Sequence, residues 1–181
     1  MDSDQALGAA LAEVLTLLAG ALGTAPFERI DDCHLRLRDG DLAIDFYWAA
    51  RIHEIGPSIT LTTSSGCERL PLDAVQEWLG EAPHAYMFSD ATMRQACGAV
   101  ADFAERVITG FRRDPAAAVD RIYAIGRARA DRYEIEETRR AANEAWTRRD
   151  LPHAARLYEK IADRLSAVER KRLSLAKRNP A

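Results

Sequence analysis

The sequence predicts an α+β protein: an N-terminal helix with a three-stranded antiparallel sheet, followed by a mostly α-helical C-terminal half. Three observations carry that expectation. The hydrophobic period changes from helical to alternating after Ala25, an Asp39-Gly40 pair separates two alternating runs, and strand signals stop at Leu70. With 181 residues, 48% of them hydrophobic and 29% charged, the chain has a globular composition and can bury a core without staples.

The opening segment, "MDSDQALGAALAEVLTLLAGALG", sets Leu7, Leu11, Val14, Leu15, Leu18 and Leu22 on one face at helical spacing, the pattern of a core helix. Asp2 and Asp4 stand where a secretory leader would be basic, and no run reads as the roughly 18 apolar residues of a membrane span. A cytoplasmic protein without membrane association is expected.

Asp39-Gly40 is the strongest local hairpin signal in the chain. As a two-residue loop it sets Leu37 opposite Leu42, Leu35 opposite Ile44 and Cys33 opposite Phe46, three apolar pairs on one face. The other face then receives Arg38 with Asp41, His34 with Asp45 and Asp32 with Tyr47, a polar set expected to be solvated. Gly56-Pro57 ends the connection, and "SITLTTS" supplies the third strand. The first helix packs on the apolar face.

"LPLDAVQEWLG" reads as a short helix, with Pro71 at its start and Gly80 past its end. Ser89 or Asp90 caps the next, in which Met93, Cys97, Val100, Phe103, Val107 and Phe111 recur at helical spacing. Asp114 and Pro115 read as N-cap and first residue of a long helix rich in alanine and arginine. An isolated glycine costs about 1 kcal/mol in a helix, so whether Gly126 interrupts it stays open. Ser166 and Glu169 form a capping box for a last helix, "AVERKRLSLAKR".

Within "AANEAWTRRDLPHAARLYEKIADRLS", the small Ala142, the aromatic Trp146, a turn at Arg149-Asp150, and Ala154, Tyr158 and Ile161 fall at the offsets of a tetratricopeptide-type helical hairpin. The segment resembles one degenerate copy of that repeat, and the resemblance implies a protein-binding role in which Trp146 and Tyr158 take part. The same residues also let two antiparallel helices pack closely without any partner.

Charge is divided along the chain. Residues 1–110 hold 7 Lys/Arg against 17 Asp/Glu, a net of −10, and residues 111–181 hold 18 against 11, a net of +7. Two regions follow: an α+β domain over 1–110 and a helical region over 111–181 ending in the tetratricopeptide-like hairpin. Whether they pack as one domain is left open.

Chemistry-bearing motifs are sparse. Cys33, Cys67 and Cys97 are widely spaced and odd in number, read as reduced, small and buried. Cys33 and His34 point to opposite faces of a strand, and no metal-ligand spacing is present, so no metal or cofactor is expected. Ser64, Ser65 and Cys67 with His53 or His84 lack any nucleophile-elbow spacing, leaving an enzyme of unknown class as a minor alternative. Arg127, Arg129, Arg132, Arg139, Arg140, Arg148, Arg149 and the terminal "ERKRLSLAKR" suit a phosphate backbone, but interleaved carboxylates suit a salt-laced helix surface as well.

The leading expectation is a non-enzymatic protein-binding module, an adaptor or inhibitor. In outline, compact and acidic with a short sheet and helices, the chain resembles small bacterial immunity proteins; 22 of its 25 basic residues are arginine, which suits a GC-rich bacterial source. Asp32, His34, Asp45 and Tyr47 on the sheet, with Trp146 and Tyr158 in the hairpin, are the candidate contact residues for a protein partner. A nucleic-acid-associated protein using the basic C-terminal helices is the alternative, and apolar faces on the long helices would equally serve homo-oligomerisation.

Overall fold

A computed structural model describes residues 3–49, 52–64 and 66–178. Asp2 and Ser65, singled out above, lie outside the described residues. The chain forms α1 (Ser3–Leu22), β1 (Glu28–Asp31), β2 (His34–Asp39), β3 (Leu42–Ala49), β4 (Glu54–Thr63), β5 (Gly66–Leu70), α2 (Leu72–Trp78), β6 (Tyr86–Met87), α3 (Met93–Arg113), α4 (Pro115–Thr147), α5 (Leu151–Lys160) and α6 (Ala167–Arg178). Gly126 lies inside α4 without interrupting it. Two compact units divide at that residue.

The first unit is α+β, but its antiparallel sheet has six strands rather than three, in the order β1-β2-β3-β4-β5 with β6 also pairing with β4. The strands absent from the sequence reading share a cause. All four residues of β1 are exposed, β5 buries only Leu70, and β6 has two residues, so none carries an alternation of burial to detect. They are strands because a neighbour offers its backbone.

The hairpin register also differs. Leu37 faces Ile44, Leu35 faces Phe46 and Asp39 faces Leu42, which makes Gly40-Asp41 the two-residue loop. Gly40 has φ +60° and Asp41 has no positive φ, as a turn with glycine at its first central position requires. A loop centred on Asp39-Gly40 would put Asp39 in the left-handed region too. Because the register moves by two residues, every side chain keeps its face. Pro57 does not end a connection; it lies within β4 opposite Phe46. Thr62 donates its N–H to Asp41 on the β3 side, so by alternation the Pro57 nitrogen points the other way, between the stretches paired to β6 and β5.

On the apolar face, Leu7, Leu11 and Leu15 of α1 are fully buried in one core with Leu35, Ile44, Phe46 and Ile59 of the sheet and Val100, Phe103 and Val107 of α3. Each such side chain contributes about 1.5–3 kcal/mol relative to exposure. Phe111, Ala118 and Ile122 belong to the same core, which carries the unit past the end of α3 into α4. By length and composition, and contrary to the sequence reading, α1 is long and apolar enough to cross a membrane. Neither Ser89 nor Asp90 caps α3; Thr92 precedes it, and the Ser89 N–H donates to the Thr92 hydroxyl at 2.8 Å. Asp114 does cap α4, accepting from the Ala117 N–H at 3.0 Å.

In the second unit the end of α4 packs with α5 and α6 around Ala142, Ala145, Ala154, Tyr158, Ile161 and Leu165. Asp150 caps α5 by accepting the His153 N–H at 3.2 Å. The capping box of α6 is reciprocal: the Ser166 N–H donates to Glu169 at 2.7 Å and the Glu169 N–H to the Ser166 hydroxyl at 3.3 Å. Burial pushes the Glu169 carboxyl up, but the Ser166 hydrogen bonds and Arg139, 2.9 Å away, outweigh it and leave the group below its usual value.

Two glycines of α3 separate propensity from packing. A Cβ at Gly98 meets nothing within 4 Å, whereas one at Gly110 would land in the Trp78 indole. In thermal unfolding, Gly98→Ala should stabilise by about 0.5–1 kcal/mol, and Gly110→Ala should destabilise by about 1–3 kcal/mol. The Glu169 shift has a definite sign as well. Since its folded value lies below the unfolded one, its contribution is present above the carboxylate range and lost as pH falls through the folded value. The melting-temperature gap between wild type and Glu169→Gln should be widest near neutral pH and close on acidification; a gap independent of pH would refute that linkage.

Candidate functional site

The outer face of the sheet, opposite the helical core, is built from the even-numbered residues of β2 and the odd-numbered residues of β3. Arg36 lies directly across from Asp45, and His34 across from Tyr47. Asp45 is the hub: His34 Nε2 and Arg36 Nε each lie 2.6 Å from its Oδ1. With the carboxylate ionised, both nitrogens donate to it. The Asp45 hydrogen bond raises the Arg36 guanidinium further above its already high value.

The expectation of a solvated polar face fails here. Asp45 is 3% exposed and His34 7%, and the small Ala43 and Ser58 on the same face are buried too. The carboxylate is therefore neutralised within the fold rather than offered to a basic partner. Tyr47 is different, 47% exposed, with its ring stacked on the His34 imidazole at a centroid distance of 4.2 Å and an interplanar angle of 26°. A chain of contacts runs from solvent into the sheet: Tyr47 on His34, His34 on Asp45, Asp45 on Arg36.

Asp32 does not reach Tyr47, because the register places His34 there. It sits at the β1–β2 turn, paired with Arg29 at 2.8 Å, and Asp31 accepts the Cys33 N–H at 2.7 Å. Burial, then Asp4, Asp31 and Asp32, push the Cys33 thiol up, which disfavours the thiolate. Burial raises Cys97 to about 11, while Cys67 is exposed and Cys33 only partly buried, against the expectation that all three cysteines are buried.

The nucleophile candidates are not brought together. Cys67 faces Thr62 near one end of β4, while His53 precedes its other end. Nine strand residues place them roughly 30 Å apart. His84 packs edge-on against Tyr86 at 4.7 Å. Among the described residues there is no group of three His, Cys, Asp or Glu side chains able to hold a metal.

In the second unit Tyr158 is a core residue, fully buried, its hydroxyl donating to Asn143 Oδ1 at 2.8 Å. Arg172 donates to the same oxygen at 2.6 Å and lies 5.8 Å over the partly buried Trp146 ring. Several arginines considered above for phosphate binding already have carboxylate partners. Arg139 pairs with Glu136 and Glu169, Arg140 with Glu137, and Arg148 with Glu144. Arg170 and Lys171 have no ion-pair partner among the described residues.

Sequence reasoning singled out His34, Asp45 and Tyr47 but missed Arg36, which closes the network. Its only signal was its place between His34 and Arg38 on the same strand face. Comparison with protein-family models, curated proteins and solved structures found no match to this chain.

Replacing the hub tests how the face is held. Asp45→Ala leaves His34 and Arg36 without their shared acceptor and should lower stability by about 2–4 kcal/mol. Urea denaturation should show the midpoint falling with the slope unchanged.

Proposed function

We propose that this chain is a non-enzymatic protein-binding module, an adaptor or an inhibitor of the immunity type, which meets its protein partner on the outer sheet face around Tyr47. One observation supports this above others. Tyr47 is exposed yet seated on the imidazole of a buried, hydrogen-bonded His34, so an aromatic anchor is held in place before any partner arrives. Immobilising a side chain at an interface costs about 0.5–1.5 kcal/mol, and a pre-seated ring avoids most of it. Tyrosine is among the residues that dominate interface energetics.

The charged groups beside this anchor also bear on the partner. Asp45 is satisfied internally, while Arg36 and Arg38 remain partly exposed on the same face. The surface is thus aromatic and mixed in charge, and the partner need not be basic. A nucleic-acid reading has one observation in its favour, Arg170 and Lys171 on α6, which have no ion-pair partner among the described residues.

A photo-crosslinking residue placed at position 47, with position 16 on α1 as a control, tests the proposal in the native host. A single protein adduct specific to position 47 is expected, and Tyr47→Ala should weaken that partner about tenfold or more while the fold survives, losing only the ring stack on His34, about 0.5–1.5 kcal/mol of stability. Unchanged affinity would remove this face as the interface. Nuclease-sensitive recovery without an adduct at 47 would shift the reading to α6.

A further inference from the structure

The β2–β3 turn, β4 and the corner between α3 and α4 enclose a cleft of about 600 Å³ in the first unit. Leu42, Leu61, Phe111 and Val119 make its lining apolar, and charged side chains stand around it. Arg112 is committed elsewhere: its Nε and Nη2 donate to Asp39 at 2.8 and 2.7 Å, and its Nη1 donates to the Leu22 carbonyl at 2.6 Å. Asp39 and Arg112 therefore neutralise one another. Asp41 and Asp120, both exposed, have no hydrogen-bond or ion-pair partner for their carboxylates among the described residues.

The backbone does not reverse this sign. The C-terminal end of α3 and the N-terminal end of α4 meet at the corner, so their opposite partial charges offset, and Asp114 already caps α4. What remains is an apolar hollow with two uncompensated negative charges. Its volume lies in the range of about 300–1,000 Å³ typical of small-molecule sites.

We propose that this cleft binds a small organic cation, an ammonium group carried on an apolar body. The body rests on Phe111, Leu61 and Val119, and the ammonium lies between Asp41 and Asp120. This site is separate from the Tyr47 face and does not depend on the protein-binding reading.

The test is calorimetric and NMR titration of the full chain with phenethylamine and, as a neutral isostere, phenethyl alcohol. The amine should bind about fivefold or more tighter at low salt, as expected for a charge facing unpaired carboxylates near a surface. The Asp41→Asn/Asp120→Asn double variant should bring the amine down to the affinity of the alcohol. Ala116→Trp, on the exposed first turn of α4 that borders the cleft, should weaken both by about tenfold through occupied volume. Should the double variant misfold, added salt replaces it, and must erase the preference for the amine while sparing the alcohol. No amine binding at millimolar concentration, equal affinity for amine and alcohol, or shifts mapping away from Leu61 and Val119 would each overturn the proposal.

Discussion

The burial of β3 on both faces is the constraint on which the first unit depends. Leu42, Ile44, Phe46 and Trp48 face the helical core, and Ala43 and Asp45 are buried on the other side. A strand in that position cannot carry a free carboxylate, because an unpaired buried charge costs several kcal/mol. The neighbouring strand answers with two donors at once, His34 and Arg36, both 2.6 Å from one oxygen. Tyr47 closes over the imidazole, and the proposed anchor is thus a by-product of a folding requirement.

A second constraint operates where α1, the hairpin and α3 converge. One guanidinium, Arg112, satisfies a carbonyl at the end of α1 and both oxygens of Asp39 at the edge of the turn. The Asp39 hydrogen bond raises the Arg112 guanidinium in turn. Because this arginine answers only one of the nearby acids, the cleft beside it keeps the charge of Asp41 and Asp120. The second unit is organised by a different hub, Asn143 Oδ1, which accepts from both Tyr158 and Arg172. In both units a polar atom with two donors locates the larger side chains around it.

Much of the fold could be read from residue order, and the exceptions have physical reasons. The capping box at Ser166 and Glu169 was legible because both of its bonds are local, within three residues. The face assignment of β2 and β3 was legible because alternation survives a register shift of two. The register itself was not, since either Asp39-Gly40 or Gly40-Asp41 can form a two-residue loop, and the choice rests on which residue takes positive φ. For the candidate site, proximity of His34, Asp45 and Tyr47 was foreseeable from the hairpin, while their burial was not. An alternating strand with a polar face looks alike whether that face is solvated or covered by its own arginine and tyrosine side chains.

The sequence by itself determined the α+β class of the protein, the caps at Asp114 and at Ser166 with Glu169, and which side of each hairpin strand is apolar. Those properties follow from periodicity and from hydrogen bonds between near neighbours, which a linear order of residues contains. Tertiary structure alone decided the six-strand sheet, the neutralisation of Asp45, the commitment of Arg112 to Asp39 and the unpaired state of Asp41 and Asp120. Each depends on a partner tens of residues away or on a donor chosen among several, and such choices are made by packing, which residue order does not display.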